Sequence, residues 1–277
     1  MYLSQSTVSH QLKSLEEELG TTLFIRQKGQ RNVELTPKGE EFVKLAQRWM
    51  CLWKDTQAFQ SSPQLTCLSI GCPHHLLSFT LPKLIKELKN DHSLTLKVFS
   101  YRSEQVYDAI ESRKIDIGLA FDLPRQGNNV VTEVLFKEKM CLIRLKTSDE
   151  PSAPVNPRKL IPRNEIFFPW YPDYQRWHDA CWDPNYSHWI EINSTSLLPT
   201  IMDDKKYWMI VPISVALQLQ QQMNIEIIDL TNSPPDRTCY KLSPRYPRLS
   251  NVPAIETFDR VISRICRHLP WQEKETK

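Results

Sequence analysis

The chain has 277 residues, 40% of them hydrophobic and 24% charged, enough to bury a sizeable core and to hold more than one domain. A formal net charge of only +3 excludes a surface coated in nucleic acid and confines any DNA contact to a local patch. No stretch has the unbroken apolar length of a membrane helix and no export signal opens the chain, so the cytoplasm is the expected compartment and no membrane partner is expected; seven scattered cysteines, an odd number, agree with reduced thiols.

The first element is a helix within SQSTVSHQLKSLEEELG. Ser4 is its N-cap, Val8, Leu12, Leu15 and Leu19 recur at steps of four, three and four, and Gly20 stops it. The opposite face carries Gln5, Ser6, Ser9, His10 and Lys13, short polar or cationic groups that approach base edges and phosphates without bulk. Glu16, Glu17 and Glu18 lie at the far end, where phosphate repels them, so only the N-terminal half suits a duplex. A hairpin follows: a strand around Leu23 to Arg26, a turn at Lys28, Gly29 and Gln30, and a return through Val33 and Leu35. Arg26, Lys28 and Arg31 cluster near its tip, placed to flank a backbone as a wing.

SQSTVSHQLKSLEEELGTTLFIR followed by LTPKG resembles the winged helix-turn-helix of LysR-type transcriptional regulators, a bacterial family with an N-terminal DNA-binding domain and a C-terminal effector-binding domain. The resemblance implies that Gln5, Ser6, Thr7, Ser9 and His10 specify or position bases, while Lys13, Arg26, Lys28 and Arg31 anchor phosphates of double-stranded DNA. The family's pattern has two more helices before this point, and here only Met1, Tyr2 and Leu3 precede the turn. The expectation is a truncated chain or a misplaced start, with Val8, Leu12 and Leu15 partly in water and operator binding weak or lost.

Thr36 and Pro37 start the next helix, as N-cap and first helical residue. Phe42, Leu45, Trp49, Leu52 and Phe59 form a stripe, with Thr56 at its polar place, that suits either an identical helix or the helix's own domain. In the resembled family this helix is the dimer contact, implying a homodimer or homotetramer. Gln60 to Pro63 make a hinge-like break.

From Leu65 short apolar strands alternate with amphipathic helices: LTCLSIGC, then the helix FTLPKLIKELKND, LTLKVFSY, the helix SEQVYDAIESRK, and IDIGLAF. This order predicts a parallel sheet with ligands beyond its carboxyl ends, at Gly71 to His75, Ser100 to Ser103 and Ala120 to Asp122. TEVLFKEKMCLIRL reads as a further strand, HWIEINSTSLLPTIMDD as a strand and a helix capped near Asn193, Ser194 or Thr195, KYWMIVPIS as a strand, IEIIDL as the return crossing and Ile255 to His268 as a closing helix. Trp170, Tyr171, Tyr174, Trp177, Trp182 and Trp189 suit the core of a second lobe better than a ligand stack. The pattern is similar to the LysR-type effector domain, departing from it at Lys206 to Met209, where Trp208 is expected to narrow the cleft.

The expected fold class is therefore α/β: a partial winged helix-turn-helix (1–36), a linker and dimerisation helix with hinge (37–63), and a two-lobed effector-binding domain of periplasmic-binding-protein type (64–277). Lobe I is expected at about 64–145 and 242–277, lobe II at about 146–241. Two helix N-termini facing the cleft favour a small anionic effector, with Cys72, His74, Ser103, Asp122, Asn193, Ser194 and Thr195 as candidates, although capping alone explains Ser194 and Thr195. A metal site at Cys72, His74 and His75 lacks a fourth ligand apart from Cys67 on the same strand, and Cys72 as nucleophile lacks an orienting group; no metal, cofactor or catalytic residue is expected. The function read here is DNA-binding regulation. A DNA-binding-deficient or dominant-negative form and a solute-binding protein are the rivals.

Overall fold

The computed structural model describes residues 4–25, 34–58, 66–79, 81–89, 91–121, 129–148, 152–183, 185 and 188–271. These fall into two compact units, Met1–Ser62 and Pro63–Lys277.

In the first unit Ser4 caps α1 (Gln5–Leu19), its hydroxyl accepting the Thr7 N–H at 3.2 Å. Gly20 ends the helix at φ 63, in the left-handed region where a side chain is disfavoured. The apolar stripe stays partly in solvent: Val8 is 40% and Leu19 44% exposed, and Leu12 and Leu15 are half-buried. Glu16 fastens helix to hairpin, one carboxylate oxygen accepting the N–H groups of Leu23 (2.7 Å) and Phe24 (3.0 Å). The hairpin pairs β1 (Phe24–Ile25) antiparallel with β2 (Glu34–Leu35).

Thr36 closes this unit from two sides. Its hydroxyl accepts the Gly39 N–H (2.9 Å), capping α2 (Pro37–Ala58), and donates to the Thr22 carbonyl (2.8 Å). Gly39 is required there because a Cβ would stand 2.2 Å from the Leu23 carbonyl oxygen. Along α2, Leu45, Trp49, Leu52 and Trp53 are all more than half exposed. Phe59 and the expected hinge at 60–63 lie outside the described residues.

The second unit has two lobes, each built on a sheet. Lobe I combines β3 (Thr66–Cys72), β4 (Leu94–Ser100), β5 (Ile117–Ala120), β6 (Val130–Glu138) and β12 (Arg237–Pro244) in the order β4-β3-β5-β12-β6, with β12 antiparallel to both neighbours. One face packs on α3 (His74–Phe79), α4 (Leu81–Leu88) and α9 (Val252–Arg267) through Leu68, Ile70, Leu84 and Phe258, and the other on α5 (Ser103–Glu111) through Val106 and Ile110. Lobe II orders β10 (Trp208–Pro212), β7 (Met140–Leu145) and β11 (Ile225–Ile228) as β10-β7-β11, with β7 antiparallel. Beside β10, through the Glu165–Trp208 bridge, lie the parallel strands β8 (Ile166–Phe167) and β9 (Ile190–Glu191). α6 (Pro172–Cys181), α7 (Leu198–Ile201) and α8 (Ile213–Leu219) cover this sheet.

Three expectations from the sequence are corrected. TEVLFKEKMCLIRL is two strands, because the chain leaves one lobe for the other at Lys139; Met140–Leu145 therefore belongs to lobe II and Arg237–Lys241 to lobe I, the reverse of the expected boundary. IEIIDL is the edge strand β11, and the return crossing comes later, leading into β12. The helix expected in FTLPKLIKELKND is described as α4 (Leu81–Leu88), with α3 (His74–Phe79) before it; Thr80 between them lies outside the described residues. Trp208 does not narrow the cleft: it opens β10, is 3% exposed, packs on Trp182 and donates its indole N–H to the Ile161 carbonyl at 3.1 Å.

Candidate ligand cleft and nucleic-acid face

A cavity of about 550 Å³ opens between the lobes of the second unit. Lobe I lines it with the ends of three parallel strands: Pro73, His74 and His75 after β3, Ser100 to Gln105 from the end of β4 into α5, and Phe121 after β5. Lobe II adds Phe168, Pro169 and Trp170 after β8 and Asn193 after β9. Strand carboxyl ends face one another across the cleft, the usual place for a ligand in such sheets, and the volume suits a small metabolite.

The polar centre of this cavity is Arg237. It is the first residue of β12, where the chain returns from lobe II, and it meets Glu138, the last residue of β6, where the chain departs. Both are buried, at 3% and 1% exposure. Glu138 Oε1 lies 2.7 Å from Nε and from Nη2 of Arg237, but only the Nε–H points along the line; Nη2 has no hydrogen-bond partner. The other Glu138 oxygen accepts the Ser214 N–H at 3.3 Å. The guanidinium plane rests 3.7 Å above the Phe121 ring and 5.3 Å from that of Trp170.

His75 packs beside the same ring, 5.0 Å from Phe121 and edge-on to Trp170 at 6.0 Å. Its Nε2 is buried without a partner. Burial first, then the charges of Arg237 and His74, hold its pKa well below the usual imidazole range, so it is neutral at physiological pH. The Trp170 ring is fixed by its N–H, which donates to the Ile210 carbonyl at 2.8 Å, and Phe168 stacks on it at 4.1 Å. At the lobe I rim the first-turn N–H groups of α5 lack helical partners, and the Ser103 hydroxyl accepts the Phe121 N–H at 3.2 Å.

Of the residues expected to meet an effector, the cavity gathers His74, Ser103 and Asn193. Cys72 is excluded: it ends β3 with 0% exposure in the lobe I core, where desolvation pushes its thiol up to about 12, unfit for a nucleophile or ligand. Ser194 serves as a cap, its hydroxyl accepting the Ser196 N–H at 3.4 Å, and neither it nor Thr195 lines the cavity. Asp122 lies outside the described residues. Arg237, which the sequence did not single out, and Phe121, which it placed only within the strand end Ala120 to Asp122, are central here. Among the described residues no group of three or more His, Cys, Asp or Glu side chains could hold a metal ion, and no helix is long and apolar enough to cross a membrane.

In the first unit Ser6, Thr7, Ser9, His10 and Lys13 are all exposed on α1. The Thr7 and Ser6 hydroxyls each lie 2.8 Å from the capping Ser4 hydroxyl, and Lys13 pairs with Glu17 at 3.6 Å. The backbone of Gln5 opens the helix. Arg26, Lys28 and Arg31 lie outside the described residues.

Residues 1–40 match the family described as bacterial regulatory helix-turn-helix protein, lysR family, and residues 66–261 match the LysR substrate binding domain. The chain belongs to the LysR family. Among relatives of this LysR-family chain, the transcriptional dual regulator GltC of Bacillus subtilis (strain 168) is 33% identical over 141 residues, 49% of this chain and 46% of that protein. The HTH-type transcriptional regulator CatR of Pseudomonas putida is 28% identical over 175 residues, 62% of this chain and 59% of that one. The chain thus spans about half the length of the curated relatives it matches. Among solved structures, a full-length OxyR variant from Pseudomonas aeruginosa covers 97% of the LysR-family chain with 87% of its own length at a TM-score of 0.69 and 21% identity. CbnR, a LysR family transcriptional regulator, covers 94% with 91% of its own length at 0.54 and 18%. At these identities the likeness is one of fold.

Proposed function

We propose that this chain regulates transcription in the cytoplasm as a DNA-binding, effector-sensing protein without catalytic chemistry. The observation that carries the reading is the exposed polar half of α1, Ser6 to Lys13, in a chain matching both LysR domains in order. In this reading Gln5, Ser6, Thr7, Ser9 and His10 meet base edges, while Lys13, Arg26, Lys28 and Arg31 hold phosphates. The exposed apolar side chains of α2 pair subunits as a dimer or tetramer. A small anion in the cleft, held by His74, Ser103, Asn193 and Arg237, shifts the relation between subunits and thereby the spacing of two half-sites.

The test selects bound fragments from genomic DNA and measures their affinity by fluorescence anisotropy over a salt series. Arg31→Ala should weaken binding to all sequences and reduce the salt slope by about one unit, whereas Gln5→Ala should change sequence preference. Binding that ignores sequence, or that neither substitution alters, refutes the reading.

A further inference from the structure

The cleft contains two buried nitrogen atoms that form no hydrogen bond within the protein: His75 Nε2, and Arg237 Nη2, which keeps only its ion pair with Glu138 Oε1 at 2.7 Å. Such orphans are few in folded proteins and call for a ligand or water partner. Both sit beside one aromatic ring: the guanidinium covers Phe121 at 3.7 Å and the imidazole packs on it at 5.0 Å. Because the guanidinium lies over a ring and its Nε is taken by Glu138, only the Nη edge remains to donate, and a carboxylate meets it in the guanidinium plane.

The neighbouring walls are ring surfaces. Trp170 and Phe168 stack at 4.1 Å, the indole is held by its bond to Ile210, and Tyr101 faces the same cavity. Arg102 and Glu104 at the rim are of opposite sign and offset one another, so the bias toward an anion comes from Arg237 Nη2, from His75 in its Nε2–H tautomer and from the N-terminus of α5. The buried groups are held before any ligand arrives, so little rotamer freedom is lost on binding.

We propose that the cleft selects a flat aromatic carboxylate, its anion taken by Arg237 and His75 and its ring lying among Phe121, Phe168 and Trp170. This deepens, and rests on, the reading of the cleft as an effector site. Arg237 then determines specificity, because its ion pair with Glu138 holds it at the point where the chain passes between the lobes.

The experiment is calorimetric titration of the full chain with four probes: phenylacetate, cyclohexylacetate, phenylacetamide and succinate. Phenylacetate should bind about threefold or more tighter than cyclohexylacetate, which keeps the charge and loses the ring. It should bind about tenfold or more tighter than phenylacetamide, which keeps the ring and loses the charge. Arg237→Lys keeps a cation beside Glu138 but loses the fork, and His75→Phe keeps the ring packing but loses Nε2; each should weaken phenylacetate about tenfold. If Arg237→Lys fails to fold, His75→Phe decides. Succinate binding tighter than phenylacetate, or unchanged phenylacetate binding in His75→Phe, overturns the aromatic proposal while leaving an anion-sensing cleft. Absence of binding by all three acids at millimolar concentration sinks both.

Discussion

Glu138 and Arg237 form a buried ion pair where the chain leaves lobe I and where it returns. Removing one partner strands a charge in a dry site, so Glu138→Ala should lower stability by about 3–5 kcal/mol in urea unfolding, and Glu138→Leu with Arg237→Leu should cost less than the single change. Buried thiols set a second expectation. Desolvation pushes Cys72 and Cys266 up to about 12 from the ordinary thiol value of 9.0, so each favours the folded state while protonated in both states. Stability is complete below pH 9 and falls as pH rises from there toward 12, by about 1.4 kcal/mol per pH unit for each thiol. Urea midpoints at pH 8, 9.5 and 10.5 should trace that decline, and Cys72→Ala should flatten it; a flat profile in the parent would refute the assignment. His74 and Ser103 were legible as site residues because each follows the end of a predicted strand. Arg237 was not, because its partner is 99 residues away and no local spacing connects them.

Caps and close approaches decide the elements. Thr36 ties α2 to the residue before Leu23, so Thr36→Val should destabilise the N-terminal unit by about 1–2 kcal/mol, whereas Thr36→Ser should cost less, as followed by thermal unfolding. Glu16→Ala should cost about 1–3 kcal/mol in the same assay, since two strand N–H groups lose their acceptor, and Glu16→Gln should be milder because it keeps a carbonyl oxygen. In lobe I, Gly118 lets α5 approach the sheet: a Cβ would stand 2.4 Å from Val106 Cγ1, so Gly118→Ala should destabilise that lobe. Ser4, Gly20, Thr36 and Pro37 were readable because capping is local, acting across one to three residues. The fastening by Glu16 was not, because a carboxylate on a polar helix face looks the same in sequence whether it meets solvent or a neighbouring strand.

At the scale of the whole molecule the exposed Trp49 (71%) and Leu45 (56%) on α2 bear on assembly. Apolar side chains this exposed favour burial against a partner surface, each worth about 1.5–3 kcal/mol when covered. Trp49→Glu with Leu45→Glu should therefore shift the protein to a smaller species in sedimentation velocity; an unchanged coefficient would remove α2 from the interface.

The caps, the polar face of α1 and the strand–helix alternation that builds the parallel β4-β3-β5 part of lobe I follow from the chain's own short-range pattern, because helix and strand periodicity and capping act within a few residues. Where the chain changes lobes did not follow. The strand at 132–145 reads as continuous in sequence, and only the pairing of Met140–Leu145 with β10 and β11 and of β12 with β5 and β6 divides it between two sheets. That division brings Glu138 to Arg237 and sets the guanidinium among Phe121, His75 and Trp170, a meeting of distant segments that long-range strand pairing creates and local propensity does not record.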